Sequence, residues 1–232
     1  MNQKNCMVAQ SGGPTVAINA SLAGVIDGVS ASSIIAEAAP SIIASLPFAK
    51  RMHWSPSHFL FARPLRWVVA LMDCDVIPFT VADVQSGRMT TGHRVHGRGP
   101  FEVACADDFD RVMAEKCGVV LSGAARRKIV VDGGNELARK VGGHILWKES
   151  LLDEVQGLSE HPEPILGDFD PSFLELPSVV LLTSMETHQK SFGVAGEDGR
   201  LLPHFLTVAN LTSREPEVVK KGRERVLRAR LY

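Results

Sequence analysis

The chain has no apolar run approaching the ~20 residues needed to span a bilayer, and its N-terminus lacks the charged, apolar, small-residue order of a secretory signal. A cytoplasmic protein with no membrane partner is therefore expected. Its four cysteines, Cys6, Cys74, Cys105 and Cys117, form no C-x-x-C pair. That distribution fits reduced thiols in a core better than disulfides or zinc. Among eight histidines only His93-Arg94-Val95-His96 forms a cluster. In an extended segment a spacing of three sends the two rings to opposite faces, and no cysteine or carboxylate stands nearby at ligand spacing, so no metal site is expected. A net charge of −1 excludes a generally basic chain. A catalytic constellation is lacking too. Glu160 with His161, and Asp153 with Glu154, are adjacent pairs without a nucleophile or metal pattern, and surface charge accounts for them.

What is present is an ordinary globular composition, 45% hydrophobic and 22% charged over 232 residues, enough to bury a core in one large domain or two small ones. Residues 5 to 26 read as a strand, a glycine loop at Gly12 and Gly13, and a helical pattern. A glycine loop opening a helix can hold phosphate through its N–H groups. Ser30 to Ser45 has helical spacing with a polar interruption at Pro40, and Pro47 ends it. Trp67 to Met72 is β-favouring, Asp73-Cys74-Asp75 a turn, and Val76 to Val84 its partner strand. Asp107 to Lys116 reads as a helix, Gly118 to Leu121 as a short strand, and Ala124 to Val141 as a second helix stopped at Gly142-Gly143. Ser150 to Val155 is a short capped helix, and Pro162 to Gly167 an irregular strand. The pattern is α+β, with a mixed or antiparallel sheet and flanking helices.

The stretch from Met185 to Leu231 carries the functional signal. Gly193 to Ala195 reads as a strand, Glu197-Asp198-Gly199-Arg200 as a tight turn with glycine where φ must be positive, and Leu201 to Ala209 as a longer strand. This hairpin presents His188, Gln189 and Lys190 at its mouth. From Glu215 the pattern is helical, with Lys221, Arg225 and Arg228 on one face, opposite Val219 and Val226. Arg214 to Arg230 contains seven Lys or Arg against three Glu. The surplus is local and reads either as a solvated helix face or as a polyanion footprint in which guanidinium groups fork onto phosphates. Arg88 and Arg94, in a segment without acidic residues, are further candidates for phosphate contacts or for capping carbonyls.

Residues 5–26 resemble the extreme N-terminus of pyrophosphate-type phosphofructokinases, where the Gly-Gly loop lies at the phosphoryl donor site. That resemblance stops near Val29, and no aspartate-rich catalytic motif or doubly wound sheet follows it. Residues 1–29 therefore read as a foreign strand-loop-helix segment, which must pack on the rest, pair with another copy in a homo-dimer, or stay partly disordered.

A second resemblance covers residues 30–232. It rests on Arg63-Pro64-Leu65-Arg66-Trp67-Val68, Ser86-Gly87-Arg88-Met89-Thr90-Thr91-Gly92-His93-Arg94, Leu151-Leu152-Asp153-Glu154-Val155, His188-Gln189-Lys190-Ser191-Phe192, Leu201-Leu202-Pro203-His204-Phe205 and Arg223-Glu224-Arg225-Val226-Leu227-Arg228-Ala229-Arg230-Leu231. In order and spacing these resemble the β subunit of bacterial glycyl-tRNA synthetase. The resemblance implies an α₂β₂ glycine-tRNA ligase that uses ATP and Mg²⁺, with the class II catalytic core on the α chain. The β chain of that family binds tRNA through a B3/B4-like region, an HD-like domain and an anticodon-binding domain. Here only the B3/B4-like part is expected, cut off within the final helix, with no cofactor of its own. Two departures stand out. Ser191 replaces an aromatic residue, and Ser122-Gly123-Ala124-Ala125-Arg126 is less acidic than the usual run.

The resemblance points to an RNA-facing surface at Arg88, His93, Arg94, His188, Gln189, Lys190, Arg223, Arg225, Arg228 and Arg230, with tRNA and the glycyl-tRNA synthetase alpha subunit as partners. Two other readings compete with it. One is an assembly module that docks on the alpha subunit without touching RNA; the other is a phosphate-binding protein built on Gly12 and Gly13.

Overall fold

The computed structural model describes residues 6–10, 17–19, 30–53 and 56–231, the first two stretches as backbone alone. The chain divides into two compact units, Met1–Leu121 and Ser122–Tyr232. Both are α+β.

The first unit runs β1 (Cys6–Gln10), β2 (Ala17–Asn19), α1 (Ala31–Ser45), β3 (Met52–His53), β4 (Leu60–Phe61), β5 (Val68–Met72), β6 (Asp75–Val76), β7 (Thr80–Val81), β8 (Val84–Gly87), β9 (Met89–Thr90), β10 (Phe101–Glu102) and α2 (Phe109–Glu115). Its main sheet has the order β2-β1-β5-β8-β7, with β6 also paired to β5. Strand β5 is buried along its whole length, and its side chains alternate between two cores as the pleat requires. Val68, Ala70 and Met72 meet Ile35, Ala39 and Ile43 of α1, while Val69 and Leu71 meet Phe109, Val112 and Met113 of α2. Helix α1 starts where the Ser30 hydroxyl accepts the Ser33 N–H at 3.2 Å and ends ahead of Pro47, as expected.

Several expectations for this unit need correction. Residues 17–19 form a strand paired to β1 instead of opening a helix. Val76 to Val84 is not one strand: Pro78 cannot donate to a ladder, so the segment breaks into β6 and β7 and turns into β8, which pairs parallel to β5. Gly118 to Leu121 forms no strand. Its Val119 N–H bonds back to Met113 O at 3.0 Å, and Gly118 sits at φ 63°. Cys74 and Cys105 are joined by a disulfide; among the described side chains Cys117 is a buried free thiol. The pairing follows from tertiary bonds invisible in residue spacing. Ala106 N donates to Asp73 O at 2.7 Å, and the Arg88 guanidinium donates to Cys74 O and Ala104 O, each at 3.0 Å.

The second unit runs α3 (Gly123–Lys140), β11 (Gly143–Ile145), α4 (Glu149–Leu158), β12 (Glu163–Asp168), α5 (Ser178–Thr183), β13 (Phe192–Gly196), β14 (Leu201–Ala209) and α6 (Pro216–Leu231). Its sheet is antiparallel throughout, in the order β11-β13-β14-β12. Adjacent residues on β14 serve opposite layers. Leu206 packs with Val130 of α3 and Leu152 of α4, whereas Phe205 packs with Leu181 of α5 and Leu227 of α6. The unit is thus helices, sheet, helices. Strand β12, expected to be irregular, pairs regularly with β14 from Glu163 to Asp168. The β13–β14 turn forms as expected, with Gly199 at φ 76°, a conformation that costs glycine nothing.

Candidate functional site

Helix α6 carries six Lys or Arg against two Glu, and how it docks decides where those charges point. Its inward line is Lys220, Glu224, Leu227 and Leu231, spaced four, three and four, the repeat of one helical face. Leu227 is fully buried among Phe169, Phe173, Leu181, Met185 and Phe205. Asp168, at the end of β12, ties down the polar half of the line. Its Oδ2 lies 2.6 Å from Lys220 Nζ, its Oδ1 is 2.6 Å from His204 Nδ1, and its N–H donates to Glu224 Oε1 at 2.9 Å. Burial alone would raise the Asp168 pKa, but the hydrogen bonds from Lys220 and His204 outweigh it and hold the carboxyl below its ordinary range. The same bond to Asp168 raises the Lys220 pKa.

This docking corrects the expected underside of the helix. Of the two valines expected there, Val226 is 48% exposed and Val219 is half-buried; the buried line passes one position away, and Asp168 satisfies its two polar members.

The cations then divide between the two flanks of that line. Lys221, Arg225 and Arg228 lie on one, Arg223, Val226 and Arg230 on the other. Among the described residues no carboxylate lies within ion-pair distance of Lys221, Arg223, Arg225 or Arg230. Arg228 stands near Asp170, whose carboxyl is held low chiefly by hydrogen bonding with Ser172 and to a smaller extent by this guanidinium.

The Arg223–Arg230 flank borders two clefts that share His188. One, of about 540 Å³, lies between Val179, Val180, Thr183 and Ser184 of the α5 region and Arg230 and Leu231. The other, of about 370 Å³, lies between the end of α4, residues 188–190, the end of β14, and Arg223 and Val226. His188 is not at a hairpin mouth. It closes a π-helical turn, Ser184–His188, that continues α5, and Gln189 and Lys190 lead from it into β13. Gln189 is only 9% exposed. Lys190 takes a left-handed φ of 53° and pairs with Glu154 at 2.9 Å. Five of the sequence candidates, His188, Gln189, Lys190, Arg223 and Arg230, thus come together here. No sequence signal marked the cleft walls or the Asp168 hub, although His204 and Glu224 stand within the motifs that carry the family resemblance.

In the first unit the candidates have different surroundings. Arg88 spends two donors on carbonyls. His93 is 3% exposed, and its Nδ1 accepts the N–H groups of Val95 and His96, each at 3.2 Å. The segment is a turn, not extended, so the His93 and His96 rings stack at 4.8 Å instead of pointing apart. Arg94 is exposed on that turn. The Gly12–Gly13 loop lies outside the described residues.

The carboxylates once open to an acid–base reading are engaged elsewhere. Asp153 pairs with Arg127 at 2.8 Å and Glu154 with Lys190 at 2.9 Å, Glu160 lies in the field of Arg126, and the His161 ring meets the Thr212 hydroxyl at 3.2 Å. No group of three or more His, Cys, Asp or Glu among the described residues is arranged to hold a metal ion. No described helix is long and apolar enough to cross a membrane.

A family model described as glycyl-tRNA synthetase beta subunit matches residues 7–232. A glycine–tRNA ligase beta subunit from Oleidesulfovibrio alaskensis is 64% identical over 198 residues, covering 85% of this chain and 28% of the relative. Its counterpart from Nitratidesulfovibrio vulgaris (strain Miyazaki F) is 62% identical over 204 residues, covering 88% and 29%. One from Syntrophotalea carbinolica is 40% identical over 207 residues, covering 89% and 30%. The chain spans under a third of the length of these relatives.

Proposed function

Because the chain belongs to the glycyl-tRNA synthetase beta subunit family, we propose that it supplies part of the tRNA-positioning surface of a glycine–tRNA ligase, while glycine activation takes place on the alpha subunit. In this reading ATP and Mg²⁺ serve the alpha chain, the complex works in the cytoplasm, and this chain holds tRNA by its phosphates and 2′-hydroxyls. The observation that carries the proposal is that Arg223 and Arg230, unneutralised by any described carboxylate, border two clefts that meet at His188. They stand seven residues apart on one helix, about 10 Å along its axis, so two guanidinium groups can grip one backbone at separate points. Arg225 and Arg228 extend the positive field on the opposite flank. In the first unit Arg94 makes the contact, and His93, whose Nδ1 accepts from Val95 and His96, holds its turn in place, while Arg88 is spent on Cys74 O and Ala104 O.

The test is titration of the purified chain with tRNA at two salt concentrations. Binding should weaken with salt, and Arg223→Ala with Arg230→Ala should lower the log–log salt slope by about 2. Salt-insensitive binding, or a double variant that binds like the parent, refutes the reading. Co-purification with the alpha subunit that survives nuclease, without tRNA binding, would support the assembly-only alternative.

A further inference from the structure

The Cys74–Cys105 disulfide lies at the surface of the first unit. Cys74, in the turn after β5, is exposed, and Cys105, shortly ahead of α2, is half-buried; neither belongs to the two cores that flank β5. The bond joins residues 31 apart in sequence, and the chain between them carries the β9–β10 ribbon. That ribbon is paired over two positions, Phe101 with Thr90 and Glu102 with Met89. A two-stranded ladder so short does not hold itself together in water, so its base decides how often it opens. There the disulfide is one fastening among several. The Arg88 guanidinium donates to Cys74 O and Ala104 O, each at 3.0 Å, Val103 N donates to Arg88 O at 2.9 Å, and Ala106 N donates to Asp73 O at 2.7 Å.

These hydrogen bonds keep residues 73–74 beside residues 104–106 whether or not the sulfurs are joined. Two thiols held together by the chain close readily on oxidation, because the second step is intramolecular, and an exposed disulfide is open to attack by a small thiol. Cys117 is the contrast: it is fully buried and its thiol is pushed up to about 11 by desolvation, so it is neither reachable nor ionised. We propose that Cys74 and Cys105 form a reversible thiol–disulfide exchange site, worked by a small thiol couple such as glutathione, whose state sets how firmly the base of the β9–β10 ribbon is held. In opening, the thiolate of one glutathione attacks the exposed Cys74 sulfur, the Cys74–Cys105 bond breaks, and Cys105 leaves as a thiolate that takes up a proton. A second glutathione thiolate attacks the glutathione sulfur of the mixed disulfide, releasing Cys74 as a thiol and forming glutathione disulfide. Two electrons pass from the two glutathione molecules to the cystine, and the reverse sequence closes it. With the bond open, the ribbon base depends on hydrogen bonds whose net worth against water is small, so it opens locally more often. The site lies outside the RNA-facing reading and does not depend on it.

The test equilibrates the full chain in glutathione buffers from fully reducing to fully oxidising, quenches with an alkylating agent and maps the peptides of Cys74, Cys105 and Cys117 by mass spectrometry. Cys74 and Cys105 should convert together while the circular dichroism spectrum stays constant, and Cys117 should remain a free thiol throughout. In the dithiol form the Val103 and Ala106 amides should exchange with deuterium about tenfold faster or more, and those of Val69 and Leu71 in β5 should not change. Cys74→Ser combined with Cys105→Ser should match the dithiol form in every buffer; if that variant does not fold, the titration of the unmodified chain still decides. A disulfide that opens only as the chain unfolds is a structural staple. A Cys74 that stops at the mixed disulfide with glutathione, or a pair that never closes, leaves no exchange site. Equal amide exchange in the two states removes the control of the ribbon. Each of these results overturns the proposal.

Discussion

Lys220 Nζ lies 2.6 Å from Asp168 Oδ2, so the helix that carries the cations is fastened to the sheet by one of its own cations. Because the Asp168 carboxyl is held below its ordinary pKa of 3.8 in the folded chain, its stabilising contribution is present above that value and is lost as pH falls through the lowered one. Asp168→Asn should therefore flatten the acid limb of the stability–pH profile below about pH 4. The carboxyl is 48% exposed, so the loss at neutral pH should be only about 1 kcal/mol. Hydrogen exchange of the α6 amides across pH is the measurement, and identical profiles for parent and variant would rule out the tether.

Leu227→Ala should cost about 2–5 kcal/mol in urea unfolding. Leu227 is the fully buried residue of α6, and its methyl groups fill the space between Phe169, Phe173, Leu181, Met185 and Phe205. The same substitution at Val226, which is half exposed, should cost well under half as much, although the two residues are neighbours in sequence.

Gly92→Ala should destabilise the first unit by about 1–3 kcal/mol. A Cβ at residue 92 would lie 2.3 Å from Cys117 Cα, and backbone cannot yield there: Gly92 N bonds to Gly97 O at 2.8 Å and His93 N to Cys117 O at 2.7 Å. The Cys117 thiol, pushed up to about 11 by burial, should resist alkylation at pH 8 in the parent chain. The variant should expose it, and peptide mapping of Cys117 after a brief alkylation pulse distinguishes the two.

Arg225→Ala combined with Arg228→Ala should weaken tRNA binding less than the Arg223, Arg230 pair does, because these residues lie on the flank away from the two clefts. Both are exposed, so the melting temperature should stay within the change that ±0.5 kcal/mol produces. A larger loss of binding than at Arg223 and Arg230 would place the main contact on the opposite flank.

Local chemistry was legible wherever neighbours in sequence settle the outcome. The helix from about Ser30 to Ser45, the stop ahead of Pro47, the Gly199 turn and the bounds of β14 are decided by dihedral preference and by donors or acceptors a few residues away. The local surplus of positive charge in the last helix, and the family motifs, are likewise properties of residue order. What the tertiary structure decided is everything that depends on a distant partner. Lys220 and Glu224 look like solvent residues until Asp168 and His204 are beside them, which is why the buried face was assigned one position off. Gly92 and His93 look like part of an RNA motif until Cys117 packs against the first and two N–H groups close on the second. Cys74 and Cys105, separated by 31 residues, meet where Arg88 bonds Cys74 O and Ala104 O and where Ala106 N bonds Asp73 O. Periodicity reports which residues avoid water on average; only the fold determines which polar groups find a partner after leaving it, and which, like the side-chain amide of Gln189, do not.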